Sequence, residues 1–183
     1  MVKIFALPAN EGDFIWICYG ENEVYSHILI DGGTKDCGEE YASIIRIIDE
    51  RKEKIEALVL THVDYDHIQG AIEGICRTSD DLLKRTVKKI YFNTCRGIRK
   101  NLKEMGEFLE GSDCVEDQIC VNQNYKQYSV GDGIKFLDLL SEKGLKDRLV
   151  DYVVYGQHAA LPNGAAIRFI SPGEKELIKF ANH

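Results

Sequence analysis

The stretch LVLTHVDYDHIQGA, residues 58–71, decides how this chain reads. Its first three residues close a nearly continuous apolar run, IEALVL at 55–60, of strand length. A run of that kind predicts a strand covered on both faces. It then delivers His62, Asp64, Asp66 and His67, four metal-ligand side chains within six residues. In open α/β sheets, ligands bind at the carboxyl ends of strands. His62 and Asp64 are two apart and point the same way in extended backbone. Asp66 and His67 are adjacent and splay, which suits two metals side by side better than one four-ligand cage. Residues 61–70 read as a polar loop.

Working outward, three runs rich in β-branched and aromatic residues precede the stretch: KIFAL, FIWICY and SHILI. Turn material separates them, so they predict consecutive antiparallel strands. The third ends in Asp31-Gly32-Gly33, where paired glycines allow a sharp turn. Tyr41, Ile44, Ile45 and Ile48 fall at helical spacing. Beyond the stretch, a helix is expected over part of 71–85, and then a strand at VKKIYF. Ile98, Leu102, Met105 and Leu109 mark an amphipathic helix. Residues 111–131 read as a loop or insertion. Ile134, Leu137 and Leu140 mark a further helix, with Asp132 as its N-cap and Gly144 past its end. YVVYG and AIRFI carry strand signals, Ser171-Pro172-Gly173 a turn, and EKELIKF a helix. The order favours an α/β layered fold in a single domain over 1–183.

Composition narrows the class. The 183 residues are 44% hydrophobic and 29% charged, which argues against disorder, collagen and coiled coil. No apolar run reaches the ~18 residues of a membrane span, and the N-terminal apolar stretch is too short for a signal peptide. These features predict a cytoplasmic protein without membrane association. None of the six cysteines forms a C-x-x-C pair, which removes the usual zinc-knuckle and redox readings. Most are expected to be buried thiols. The net charge is −7, yet residues 84–103 hold eight Lys or Arg and no acid. Such a basic island is a candidate anion-binding surface or a solvated face.

The ligand loop resembles the signature of the metallo-β-lactamase-fold hydrolases, whose usual form is His-x-His-x-Asp-His. Residues 28–33, ILIDGG, resemble that family's first motif, and the order of elements from residue 3 to about 95 is similar too. The resemblance implies an αββα sandwich, of which this chain corresponds to the first half. It implies one or two metals that activate a water for hydrolysis. His62 and Asp64 would bind the first metal and Asp66 and His67 the second. Asp66 carries the catalytic role, and Asp31 orients the metal loop from behind. Asp64 stands where the family usually has His, a variant similar to the metallo-β-lactamase-like domain of DNA-uptake competence proteins. A carboxylate there makes the site harder, favouring Mn²⁺ or Mg²⁺, with Zn²⁺ still open. The family's downstream ligands are missing from their usual settings. His158 is the remaining candidate, and His183 is terminal.

The basic island would border the same cleft, with Arg96, Arg99 and Lys100 at the start of a helix. Cations there oppose the helix dipole, and a helix start with added arginines is a natural phosphate seat. The first functional expectation is therefore a metal-dependent hydrolase of phosphodiesters or nucleic acid. The alternative is a hydrolase of small esters, lactones or thioesters. A third reading is an inactive lobe that self-associates or binds a missing C-terminal half.

Overall fold

The computed structural model describes residues 1–106 and 128–181; the side chains of 128–130, 180 and 181 are not considered. The chain divides into two compact units, Met1–Ile90 with Gln127–Leu149, and Tyr91–Lys126 with Val150–His183.

The first unit begins with an antiparallel meander. Strand β1 (Val2–Ala6) pairs with β2 (Ile15–Glu21), and β2 pairs with β3 (Val24–Ile30). Asn22 and Glu23 join β2 to β3 with φ of 53° and 62°, the positive values that two-residue hairpin turns need. A short 3₁₀ turn, Lys35–Cys37, leads into helix α1 (Gly38–Glu50). This helix returns the chain to β4 (Lys54–Val59), which runs parallel to β3. On the other side of β4, Lys88 donates to the Ile55 carbonyl at 2.8 Å and Leu58 to the Lys89 carbonyl at 2.9 Å. The IEALVL run is therefore central, as expected, with Ile55, Ala57 and Leu58 fully buried. A layered, mixed α/β architecture follows from these pairings.

The helices cover this sheet and one another. Tyr41, Ala42, Ile45 and Ile48 of α1 are fully buried, and each Ile so placed contributes on the order of 2 kcal/mol. Helix α2 (Tyr65–Cys76) presents Ile68, Ala71 and Ile75 to the core. Helix α3 (Asp80–Thr86) follows it. Helix α5 (Tyr128–Glu142) packs on α2, with Phe136, Leu139 and Leu140 buried. Strands β5 (Ile90–Tyr91) and β6 (Leu149–Val150) each contain one residue of either unit. At the meander's edge, β1 is exposed along its whole length.

A buried polar network sits between β2, β3 and the start of β4. The Trp16 indole N–H donates to His27 Nδ1 at 3.0 Å, and His27 Nε2 lies 2.7 Å from Glu53 Oε2. An indole N–H only donates, so Nδ1 accepts and Nε2–H donates to the carboxylate. His27 is fully buried, and burial holds its pKa below the ordinary value despite the upward pull of Glu53.

In the second unit, α4 (Cys95–Glu104) and α6 (Glu174–Ala181) pack through Ile98, Leu102 and Leu177. The Thr94 hydroxyl caps α4, accepting from the Gly97 amide at 2.9 Å. The Asn93 side chain is doubly bonded to the Val153 backbone. Strand β7 (His158–Ala160) forms an antiparallel pair with β8 (Ala166–Arg168).

Several expectations are corrected. The polar loop is shorter than 61–70, because α2 begins at Tyr65. Two helices occupy 65–86 in place of the expected one. YVVYG lies outside the strands, and Asn93 meets its Val153 backbone in place of a neighbouring strand. Met105 ends α4 at 57% exposure instead of joining its apolar face. Asp132 lies inside α5, buried and paired with Lys135, and does not cap it. Of the four described cysteines, only Cys18 and Cys37 are buried. Leu109 and most of 111–131 lie outside the described residues.

Candidate metal centre

The cluster is assembled in the first unit from the end of β3, the loop after β4 and the first turn of α2. Asp31 is its hub. Just past β3, it adopts φ 53°, a left-handed conformation that Asp tolerates better than most residues. Its amide donates to the Val59 carbonyl at 2.9 Å, tying the ends of β3 and β4. Its carboxylate is 1% exposed, and a buried charge must be hydrogen-bonded. Here the bonds come from the Thr61 amide at 2.7 Å, the Thr61 hydroxyl at 2.5 Å and His67 Nδ1 at 2.9 Å.

These contacts set the tautomers of both histidines. A carboxylate only accepts, so His67 Nδ1 carries a proton, and in the neutral ring the lone pair is at Nε2. The single Thr61 hydroxyl hydrogen goes to Asp31. The hydroxyl oxygen therefore accepts from His62 Nδ1, 3.0 Å away. The neutral form of each imidazole then presents its Nε2 lone pair, the form that binds metal. The two rings lie 5.1 Å apart between centroids. Asp66 Oδ2 is 3.6 Å from His67 Nε2. Burial lowers the His67 pKa, but the Asp31 hydrogen bond and the carboxylates of Asp31, Asp66 and Asp13 outweigh it, and the net shift is upward.

Main-chain contacts fix the frame. Gly32 donates to the His67 carbonyl at 2.8 Å and Gly70 to the Gly33 carbonyl at 3.0 Å. A Cβ on Gly70 would stand 1.8 Å from the Gly32 carbonyl oxygen, so α2 reaches the β3 end only because residue 70 lacks a side chain. Asp64 precedes α2 and caps it through its backbone, with its carbonyl accepting from the His67 amide at 3.0 Å.

Asp31, His62, Asp66 and His67 are thus brought together, and Asp64 sits on the same loop with an exposed side chain. Arg96, Arg99 and Lys100 lie on α4 in the second unit, with Arg99 buried and the other two exposed. His158 lies on β7 of that unit, exposed. Two contributors escaped the sequence reading. Thr61 read only as the first residue of the polar loop, and its role as intermediary between Asp31 and His62 follows only from the fold. Asp13 comes from the distant β1–β2 loop. Single donor atoms of Asp13, Asp31 and His67 lie within 4.8 Å of one another.

The chemistry of this donor set, two oriented imidazoles beside carboxylates, fits a divalent metal. A hydrolytic class agrees with the comparisons. The family model for the metallo-beta-lactamase superfamily matches residues 23–99, a segment that includes Asp31 and the whole ligand loop. The hydroxyacylglutathione hydrolase of Psychromonas ingrahamii is 26% identical over 101 residues, covering 55% of this chain and 36% of that relative. The aligned part therefore spans about a third of the relative's length. Together these similarities support a metal-dependent hydrolase in general terms.

Proposed function

We propose that the chain carries the metal-binding part of a hydrolase acting on a small thioester or related carboxyl ester. The observation that carries the hydrolase reading is the Asp31 network, which holds a proton on Nδ1 of both His62 and His67 and so reserves Nε2 of the neutral rings for a metal. The similarity to a hydroxyacylglutathione hydrolase supports the thioester class. His62 and Asp64, with Asp66 and His67, would hold one or two divalent ions, Zn²⁺ or Mn²⁺. Such an ion supplies Lewis acidity and a water of lowered pKa. Asp31 holds the imidazoles in register through its own hydrogen bond and through Thr61. Asp66 Oδ2, next to His67 Nε2, is the oxygen placed to take a proton from an attacking water.

A second substrate class has its own support. Arg96 and Lys100 are exposed on α4, and the carboxylate at 64 hardens the donor set, as in the competence-protein variant. Both features suit a phosphodiester or nucleic acid. The test loads the chain with Zn²⁺ or Mn²⁺ and compares a hydroxyacyl thioester of glutathione with bis(p-nitrophenyl) phosphate. Faster metal-dependent thioester cleavage is expected. Cleavage of the phosphate diester alone, lost on R96E/K100E, would transfer the assignment to the second class.

A further inference from the structure

We propose that Asp13, delivered by the β1–β2 loop, is a metal ligand that completes the Asp66–His67 side of the centre. The inference rests on the metal-dependent reading above and extends it to a residue far from the ligand loop in sequence.

The first support is placement. Gly33 donates to the Asp13 carbonyl at 3.0 Å and Thr34 to the Ala9 carbonyl at 3.1 Å. The Asn10 amide donates to Thr34 Oγ1 at 3.1 Å, and the Cys37 thiol donates to the Pro8 carbonyl at 3.3 Å. The 8–13 loop is thereby bound to the segment that carries Asp31. Gly12, at φ 73°, lies so close to the metal loop that a Cβ there would stand 2.1 Å from the Asp66 carbonyl oxygen and 3.0 Å from Asp66 Oδ2. The loop has been fitted against Asp66, and the next residue is an acid.

The second support is division of labour within the cluster. Asp13, Asp31 and His67 meet within 4.8 Å, but the Asp31 oxygens are already occupied by Thr61 and His67 Nδ1. Asp31 is therefore an orienting group. The Asp13 carboxylate, in contrast, makes no hydrogen bond or salt bridge among the described residues.

The third support is charge. Three carboxylates, Asp13, Asp31 and Asp66, converge on one imidazole. Even as an imidazolium, His67 offsets one of the three charges. Like charges gathered this closely raise the free energy of the site unless a cation joins them. A metal held by Asp13 together with His67 supplies that cation and leaves Asp31 in its orienting role.

The test uses the 183-residue chain and measures Mn²⁺ and Zn²⁺ affinity by calorimetry, with the Co²⁺ absorption spectrum as a probe of coordination. Asp13→Ala should weaken binding by about tenfold or more and change the Co²⁺ bands. Because the Asp13 side chain has no hydrogen-bonding partner and adds a like charge, its metal-free circular dichroism should match the parent chain and its melting should be no lower. Glu11→Gln, in the same loop, should bind as the parent does. At 1 M salt, where the screening length is about 3 Å, the Asp13→Ala defect should persist. A defect that disappears at high salt, or that Glu11→Gln shares, would reduce Asp13 to a remote charge and overturn the proposal. Unchanged binding by Asp13→Ala, with binding abolished by D66A/H67A, would overturn it while leaving the hydrolase reading intact. A parent chain that binds no metal would remove both.

Discussion

Asp31 shows how one residue can govern a site it does not have to ligate. In Asp31→Asn an amide nitrogen at the Oδ2 position cannot accept, so the contacts from the Thr61 hydroxyl and His67 Nδ1 are both lost and both imidazole tautomers are released. Metal affinity should fall by about 10- to 100-fold, as measured by calorimetry against a fluorescent chelator. Asp31 was singled out by its motif and His62 and His67 by their spacing, and the structure places the three side by side. Thr61 and Asp13 were not, because a hydroxyl at a strand end and an acid in a turn have common structural uses, and only tertiary placement reveals another. His27 gives a second residue-scale outcome. Its folded pKa is depressed by burial from an ordinary 6.5, so the unfolded chain binds the extra proton more readily. The stability contributed by neutral His27 is full above pH 6.5 and is lost as pH falls toward the folded pKa. Protonation at Nδ1 also removes the acceptor for Trp16. Metal-free His67 has the opposite sign, with stability present below 6.5 and lost as pH rises through its elevated pKa. Urea titrations from pH 5 to 8 should therefore show a falling acid limb that flattens in His27→Gln, and a falling upper limb that flattens in His67→Gln.

At the scale of elements, β2, β3, α1 and β4 follow directly from apolar period and length. The start of α2 was obscured because candidate ligands and helix share the same residues. Four ionisable side chains in six residues look like a loop, while Ile68, Ala71 and Ile75 already carry the buried helical face. The helix begins early so that Asp66 and His67 sit on a rigid first turn, where a carboxylate also meets the favourable end of the helix dipole. Asp132 was misread for the reverse reason. An Asp after Gly resembles a cap, but the helix starts at Tyr128 and buries it. The β3–α2 contact yields a prediction of its own. Gly70→Ala forces a methyl against the Gly32 carbonyl and should destabilise the first unit by about 3 kcal/mol or more. Urea unfolding with and without metal measures it, and the metal-induced gain in midpoint should shrink as well.

For the whole molecule, the sequence indicated the layered class but not the division into two compact units, since no linker composition marks Ile90 or Leu149. The second unit was the less readable. Its strands are two or three residues long, too short for a period to register, and side-chain bonds such as Asn93 to Val153 replace part of the ladder. Among the described residues no helix is long and apolar enough to cross a membrane. The meander ends in β1, with Met1, Val2 and Ile4 between 59% and 68% exposed. An apolar edge strand left open is a template for pairing with another chain. Light scattering after size exclusion should show concentration-dependent association, reduced by Ile4→Lys without loss of circular dichroism signal.

The contacts that hold α2 to the end of β3 run from amide to carbonyl, through Gly32, His67, Gly33 and Gly70. Backbone contacts do not depend on which side chains the loop displays. Positions 62, 64 and 66 can therefore exchange imidazole for carboxylate during divergence while the scaffold stays in place. An imidazole at residue 64, introduced as Asp64→His, should be accepted without loss of folding and would change the preferred metal rather than the architecture. The glycines have no such latitude, so a lineage exploring new reactions on this frame is free in its ligands and constrained at residues 32 and 70.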